Sequence, residues 1–227
     1  MSPHPTGIIA RTACRFFDRA TAGRELARHV AALSFSSTPL VLGLPRGGVP
    51  VAEEVARSLR CPLDVLVVRK IGSPMQPELA IGAIASGNVV LREPGLPSFM
   101  RTSDDQFARI VEHERVELAR REQRYRQRLG APLMTGRDVV LVDDGIATGA
   151  TMLAAVQAAR AGEALSVTVA APVASTEAVE RLRAVADRVL VLQVPSLFQA
   201  VGEWYEQFPQ TSDEQVLDCL RRAWQRH

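Results

Sequence analysis

The sequence predicts an α/β fold, an open parallel sheet flanked by helices, and three observations carry that prediction. Short runs rich in Val, Leu and Ile recur along the chain; they are apolar throughout rather than at alternate positions; and stretches of helical character separate them. Continuous hydrophobicity marks strands buried on both faces. Its alternation with helical patterns is the sequence form of repeated β-α-β units.

In chain order, "FFDRATAGRELARHV" (16–30) reads as an N-terminal helix with Asp18 and Arg19 near its start, and no chemistry is assigned to it. Strands are expected at "PLVLGL" (39–44), "PLDVLVV" (62–68), "RDVVLVDD" (137–144), "LSVTVAAP" (165–172) and "RVLVLQV" (188–194). The stretches "VPVAEEVARSLR", "ATGATMLAAVQAARAG" and "STEAVERLRAVA" read as helices. Gly162 stands where a left-handed C-terminal cap belongs, and Ser175 or Thr176 where an N-cap belongs.

Two insertions interrupt this order. "AIGAIASGNVVLRE" carries Gly87-Asn88 between β-rich runs, which suggests a hairpin attached to the sheet. From Ser103 to Leu129 a long helix is expected, because Phe107, Val111, Leu118, Tyr125 and Leu129 recur along one stripe. Its other face is charged, with Glu117/Arg121 and Glu122/Arg126 spaced for pairing. A solvated surface is the expected role of that face, and an arginine face for a partner is the alternative.

Composition excludes several function classes. The chain has 227 residues and a formal charge of +2, so no nonspecific nucleic-acid or membrane-surface footprint is expected. Cys14, Cys61 and Cys219 lack the spacing of a zinc site or a disulfide framework, and no apolar run has signal-peptide or membrane-span length. A cytoplasmic protein is the expectation. Lys70, in "LVVRKIG" (66–72), is the only lysine among 27 basic residues. Where arginine is accepted nearly everywhere, a lone lysine suggests a need for a compact, rotatable point charge.

The strongest chemical signal is "VVLVDDGIATGATM" (139–152), an apolar strand that ends in two carboxylates before a Gly/Thr-rich turn opens a helix. Ligands of open α/β sheets bind at such strand ends. A turn of free N–H groups at a helix start suits phosphate. Asp143 and Asp144 would repel phosphate and suit sugar hydroxyls or a metal, so a sugar phosphate satisfies both halves. The P-loop pattern fails because Ala150 follows Gly149, and no G-x-G-x-x-G fingerprint is present.

These residues resemble the PRPP-binding motif of the type I phosphoribosyltransferases. "LGLPRGGVPVA" (42–52) resembles that family's pyrophosphate loop, and "VVRKIG" the segment that brings Arg and Lys to pyrophosphate. The resemblance spans about residues 39–195. It implies a single phosphoribosyltransferase domain over 1–227, with a small hood built from 8–35 and 196–227.

The resemblance also implies roles. Gly145, Ile146, Ala147, Thr148, Gly149, Ala150 and Thr151 would hold the 5′-phosphate, and Asp143 with Asp144 the ribose hydroxyls. Gly47, Gly48 and Arg46 would receive pyrophosphate, with the Pro45–Arg46 peptide cis. Arg46, Arg69 and Lys70 would stabilise the leaving group together with Mg²⁺, which Asp143 and Asp144 would meet only through PRPP and water. The segment "IGSPMQPELA" (71–80) would be the covering loop, with Glu78 a polar contact. In "SLFQAVGEWYEQF" (196–208), Phe198, Trp204 and Tyr205 are candidates to stack on a base, though core packing is the stronger claim on each. Enzymes for 6-oxopurines carry an aspartate where this chain has Ala147, which argues against hypoxanthine or guanine.

The expected activity is transfer of the phosphoribosyl group of PRPP to a nitrogenous base of nucleotide salvage, in a homo-oligomer with small-molecule partners. The alternatives are a PRPP-sensing regulator that binds nucleic acid and a hydrolase of phosphoribosyl compounds.

Overall fold

The computed structural model describes residues 7–8, 14–74, 80–87, 89–93, 102–126 and 132–226. Five of its strands lie where the apolar runs predict them: β2 (Leu40–Gly43), β3 (Leu63–Val65), β7 (Asp138–Val142), β8 (Ser166–Val173) and β9 (Arg188–Gln193). With the short β1 (Gly7–Ile8) they form one parallel sheet of order β1-β9-β8-β7-β2-β3.

Both faces of the sheet are covered, which is why the strands are apolar throughout. Val41, Val140 and Val142 pack into a core shared with α1 (Arg19–Val30), α2 (Gly48–Leu59) and α6 (Asp213–Trp224). Their neighbours Leu40, Leu42, Val139 and Leu141 face the opposite core, filled by α4 (Ala150–Ala161) and α5 (Thr176–Arg183). Successive side chains of a strand point to opposite faces, so one apolar run serves two cores.

The run 62–68 does not form one strand. β3 ends at Val65, and the chain enters β4 (Val68–Gly72), which pairs antiparallel with β5 (Ala80–Ala85). The cause is local: Leu66 N–H still bonds Gly43 O in the parallel sheet, whereas Val67 exchanges bonds with Ser86 at the end of β5. The predicted hairpin of β5 and β6 (Val89–Arg92) is present, but it joins β4 in a separate sheet instead of extending the parallel one. Ile71 and Gly72 of the expected covering loop belong to β4. Glu78 and most of the rest of that expectation lie outside the described residues.

The long helix α3 spans Asp104–Arg126 and buries Val111, Leu118 and Tyr125. Its charges pair differently from the expected i,i+4 scheme. Arg120 bonds Glu117 one turn back, and Arg126 turns inward to grip Asp64 with a forked pair of bonds. A guanidinium fork fits a carboxylate better than a tilted surface neighbour can.

Two caps settle. Ser175 Oγ accepts from Ala178 N–H at 3.0 Å and starts α5. At the end of α4 the left-handed residue is Glu163, with φ of 57°, while Gly162 keeps φ of −80°. Gly162 instead makes room for Met134, whose Cε would lie 2.7 Å from any Cβ there. Among the described residues no helix is long and apolar enough to cross a membrane.

Candidate active site

Strands β2 and β7 are adjacent, parallel and in register, with Gly43 opposite Val142. The segments that follow them, 44–47 and 143–149, therefore leave the same edge of the sheet side by side. Leu44 N–H ties the two together by donating to Val142 O at 2.9 Å. The Pro45–Arg46 peptide is cis, as the resemblance implies.

The two loops touch through glycine. A Cβ on Gly47 would lie 2.0 Å from Asp144 Oδ2, and one on Gly48 would lie 2.6 Å from Val142 O and 2.8 Å from Asp143 Cα. Only hydrogen fits between the turn and the acidic pair.

The turn after the acidic pair is held from outside. Ser175 Oγ donates to Ala147 O at 2.5 Å, and Arg181 donates to Thr148 O at 3.1 Å while its other arm binds Glu93 of the segment after β6. Among the described residues nothing accepts from the N–H groups of Ala147, Thr148 or Gly149. Gly149, with φ of 78°, turns the chain into α4. The inner side of the turn is thus a set of donors at a helix start, the arrangement that suits an anion.

Two cavities meet across the acidic pair. One of about 170 Å³ is lined by Asp143, Gly145–Met152, Lys70 and Val201. The other, of about 450 Å³, is lined by Arg46, Gly47, Asp144, Arg19, Val201 and residues 208–211 in part. Val201 belongs to both because it sits in the short helical turn Val201–Trp204, pressed on Gly145.

Electrostatics distinguish the two carboxylates. Burial first, and the neighbouring Asp144 charge next, push the Asp143 carboxyl well above the usual carboxylate range. Asp144 is instead paired: Arg19 Nε donates to its Oδ2 at 2.7 Å. Tyr205 OH donates to Asp144 O at 2.5 Å, and burial followed by the Asp144 charge raises the pKa of that hydroxyl, so it stays a donor. Neither buried thiol competes as a nucleophile near neutral pH, since burial pushes Cys61 and Cys219 up to about 12.

The structure brings together Asp143, Lys70 and Gly145 to Thr151 in one cavity, and Arg46, Gly47 and Asp144 in the other. Lys70 thus shares the turn's cavity and not that of Arg46. Arg69 reaches neither: adjacent residues of a strand face opposite ways, and its guanidinium is engaged by Glu114 of α3. Phe198 is half-buried and lines neither cavity. Trp204 packs into the core, and Tyr205 stacks at 4.8 Å on Phe208.

Sequence reasoning passed over Arg19, Val201 and Phe208. Arg19 stands 125 residues from Asp144, and nothing in its neighbourhood except the helix cap at Asp18 marks it.

The sequence model described as "Phosphoribosyl transferase domain" matches residues 18–207. Two curated Mycobacterium tuberculosis proteins, from strains CDC 1551 / Oshkosh and ATCC 25618 / H37Rv and both named "Putative phosphoribosyl transferase", are 48% identical over 208 residues. The match takes in 92% of this chain and 47% of theirs, so the chain spans about half the length of these relatives. The crystal structure of the Thermus thermophilus protein TT1426 superposes with a TM-score of 0.80 at 46% identity, covering 92% of this chain and 98% of that one. Since the matched residues run from the cap of α1 through both glycine turns and the acidic pair, the chain belongs to the phosphoribosyl transferase domain family.

Proposed function

We infer that this chain transfers the phosphoribosyl group of PRPP to a nitrogenous base and releases pyrophosphate. The observation that carries the reading is the pair of cation-lined cavities meeting at Asp143 and Asp144. PRPP has the same layout, a hydroxyl-bearing ring between a phosphate and a pyrophosphate.

In this reading the free N–H groups of the 147–149 turn bind the 5′-phosphate, and the acidic pair accepts from the ribose hydroxyls. Arg46 and the Gly47-Gly48 backbone receive pyrophosphate. The C1–O bond breaks with its electron pair leaving on pyrophosphate, an acceptor nitrogen donates its lone pair to C1, and the proton of that nitrogen passes to solvent. The chain's contribution is alignment and stabilisation of charge on the departing group.

The family pairs PRPP with Mg²⁺, and the residues here fit a cation held mainly by its substrate. Among the described residues no group of three or more His, Cys, Asp or Glu gathers, and Asp144 already shares its charge with Arg19. Asp143 and Asp144 would hold the ion through water and PRPP oxygens. Bound there, it would supply positive charge to the pyrophosphate.

Thermal unfolding tests the donor. PRPP with Mg²⁺ at about one hundred times its dissociation constant should stabilise the protein by about 2.7 kcal/mol. Chelating the metal should remove most of that gain. A melting temperature that ignores PRPP would contradict the reading, and pyrophosphate release across a panel of bases would name the acceptor.

Lys70 gives a second expectation. Lys70 lines the same cavity as Asp143 and the 145–151 turn, which supports a role for its ammonium toward the donor. Lys70→Arg should keep PRPP affinity within a few-fold while turnover falls about tenfold, because the bulkier fork cannot occupy a point-charge site. Competition by ribose 5-phosphate and by pyrophosphate, measured separately on Lys70→Ala, assigns the lysine to one anionic end; the cavity favours ribose 5-phosphate.

The regulator reading loses its footing in α3. Arg115, Arg120 and Arg124 are paired with Glu112, Glu117 and the Asp213/Glu214 pair. Those pairs neutralise much of a face that nucleic acid would need.

A further inference from the structure

We propose that Arg19 is a positioning residue of this reaction, fixing Asp144 so that one carboxylate oxygen is presented to the ribose hydroxyls. The proposal rests on the PRPP reading above and adds to it a residue outside both glycine turns.

The geometry closes a circuit around Asp144. Arg19 Nε donates to Asp144 Oδ2 at 2.7 Å, and Arg19 Nη1 donates to Pro209 O at 2.7 Å. The guanidinium lies 3.8 Å above the Phe208 ring. Phe208 stacks on Tyr205, and Tyr205 OH returns to the Asp144 carbonyl. Side chain and main chain of Asp144 are therefore held by one chain of contacts that starts and ends on the same residue.

Three properties make this more than a surface ion pair. The side chains of Arg19 and Asp144 are only 12% and 14% exposed, so solvent screens the pair weakly. The guanidinium performs three tasks at once, which a flexible ammonium cannot. Finally, the Arg19 bond grips Asp144 through Oδ2 alone. A carboxylate anchored through one oxygen has its orientation set before a hydroxyl arrives, which lowers the cost of binding.

Calorimetry with PRPP and Mg²⁺, together with steady-state kinetics, tests the assignment on the intact chain. Arg19→Gln should weaken PRPP about tenfold, the loss of one charge-assisted bond. Its kcat at saturating PRPP should stay within about twofold, because uniform binding is what is lost. Arg19→Lys should recover part of the affinity. In an Asp144→Asn background Arg19→Gln should cause no further loss, since the two act as one unit.

Losses that add in the double variant, or an Arg19→Gln protein that binds like wild type, would overturn the proposal while leaving the donor reading intact. Wild-type protein that binds no PRPP would overturn the donor reading itself. Should Arg19→Gln fail to fold, Phe208→Leu asks the same question by removing the ring beneath the guanidinium, with about threefold weaker PRPP expected and unchanged affinity counting against the proposal.

Discussion

Gly48→Ala should lower the stability of the protein by about 3 kcal/mol, the upper part of the usual range for overpacking, and abolish PRPP binding. The methyl group would stand 2.6 Å from Val142 O and 2.8 Å from Asp143 Cα, both main-chain atoms of β7 and its exit. No side chain can swing aside to admit it. Relief requires β2 and β7 to part at the place where Leu44 N–H holds Val142 O, or α2 to lift at its first turn. Either movement displaces Asp143 and the Arg46 loop relative to each other. Urea unfolding and calorimetry on the same preparation measure both effects. A folded Gly48→Ala protein with wild-type PRPP affinity would show that the close facing of the two loops has no functional weight.

The double variant Asp143→Asn/Asp144→Asn should lose binding first. The bonds from ribose hydroxyls to the two carboxylates are weakened, and a net loss of about 3 kcal/mol, roughly a hundredfold in affinity, is expected for PRPP. The Asp144 change also takes the carboxylate from the largely buried Arg19 guanidinium, so a loss of stability of about 1–3 kcal/mol should accompany it. Asp143 has a folded pKa above its unfolded value, so it binds its proton more tightly in the folded chain. Such a group costs stability above its folded pKa, and the cost fades as pH falls toward the unfolded value. Asp143→Asn alone should therefore melt at or above the wild-type temperature near neutral pH. Its advantage should shrink as the solution is acidified, and a melting series over pH reads this directly. An Asp143→Asn protein that melts well below wild type at neutral pH would mean that its carboxylate stabilises the fold.

Much of the parallel sheet was legible because burial on both faces leaves a simple mark, an apolar run such as 139–142. The acidic pair and its turn were legible because strand end, carboxylates, glycines and helix start are contiguous, so one window of sequence holds the chemistry. What escaped depended on long-range facing. The split of 62–68 is decided by Ser86, which stands just past the end of β5 and takes the Val67 main chain away from the sheet. Which of Arg69 and Lys70 meets the cavity is decided by the pleat of β4 and by Glu114 on α3. Arg19 is joined to Asp144 only by the packing of the N-terminal helix, and no local pattern encodes that.

The double grip of Arg181 has a bearing on how such chains can diverge. One guanidinium clasps both Thr148 O and the Glu93 carboxylate. Positions 93 and 181 are thereby linked: losing the acid would free the arginine to drift from the turn. Descendants that redesign the hairpin for a new purpose must first find another brace for the turn at 148.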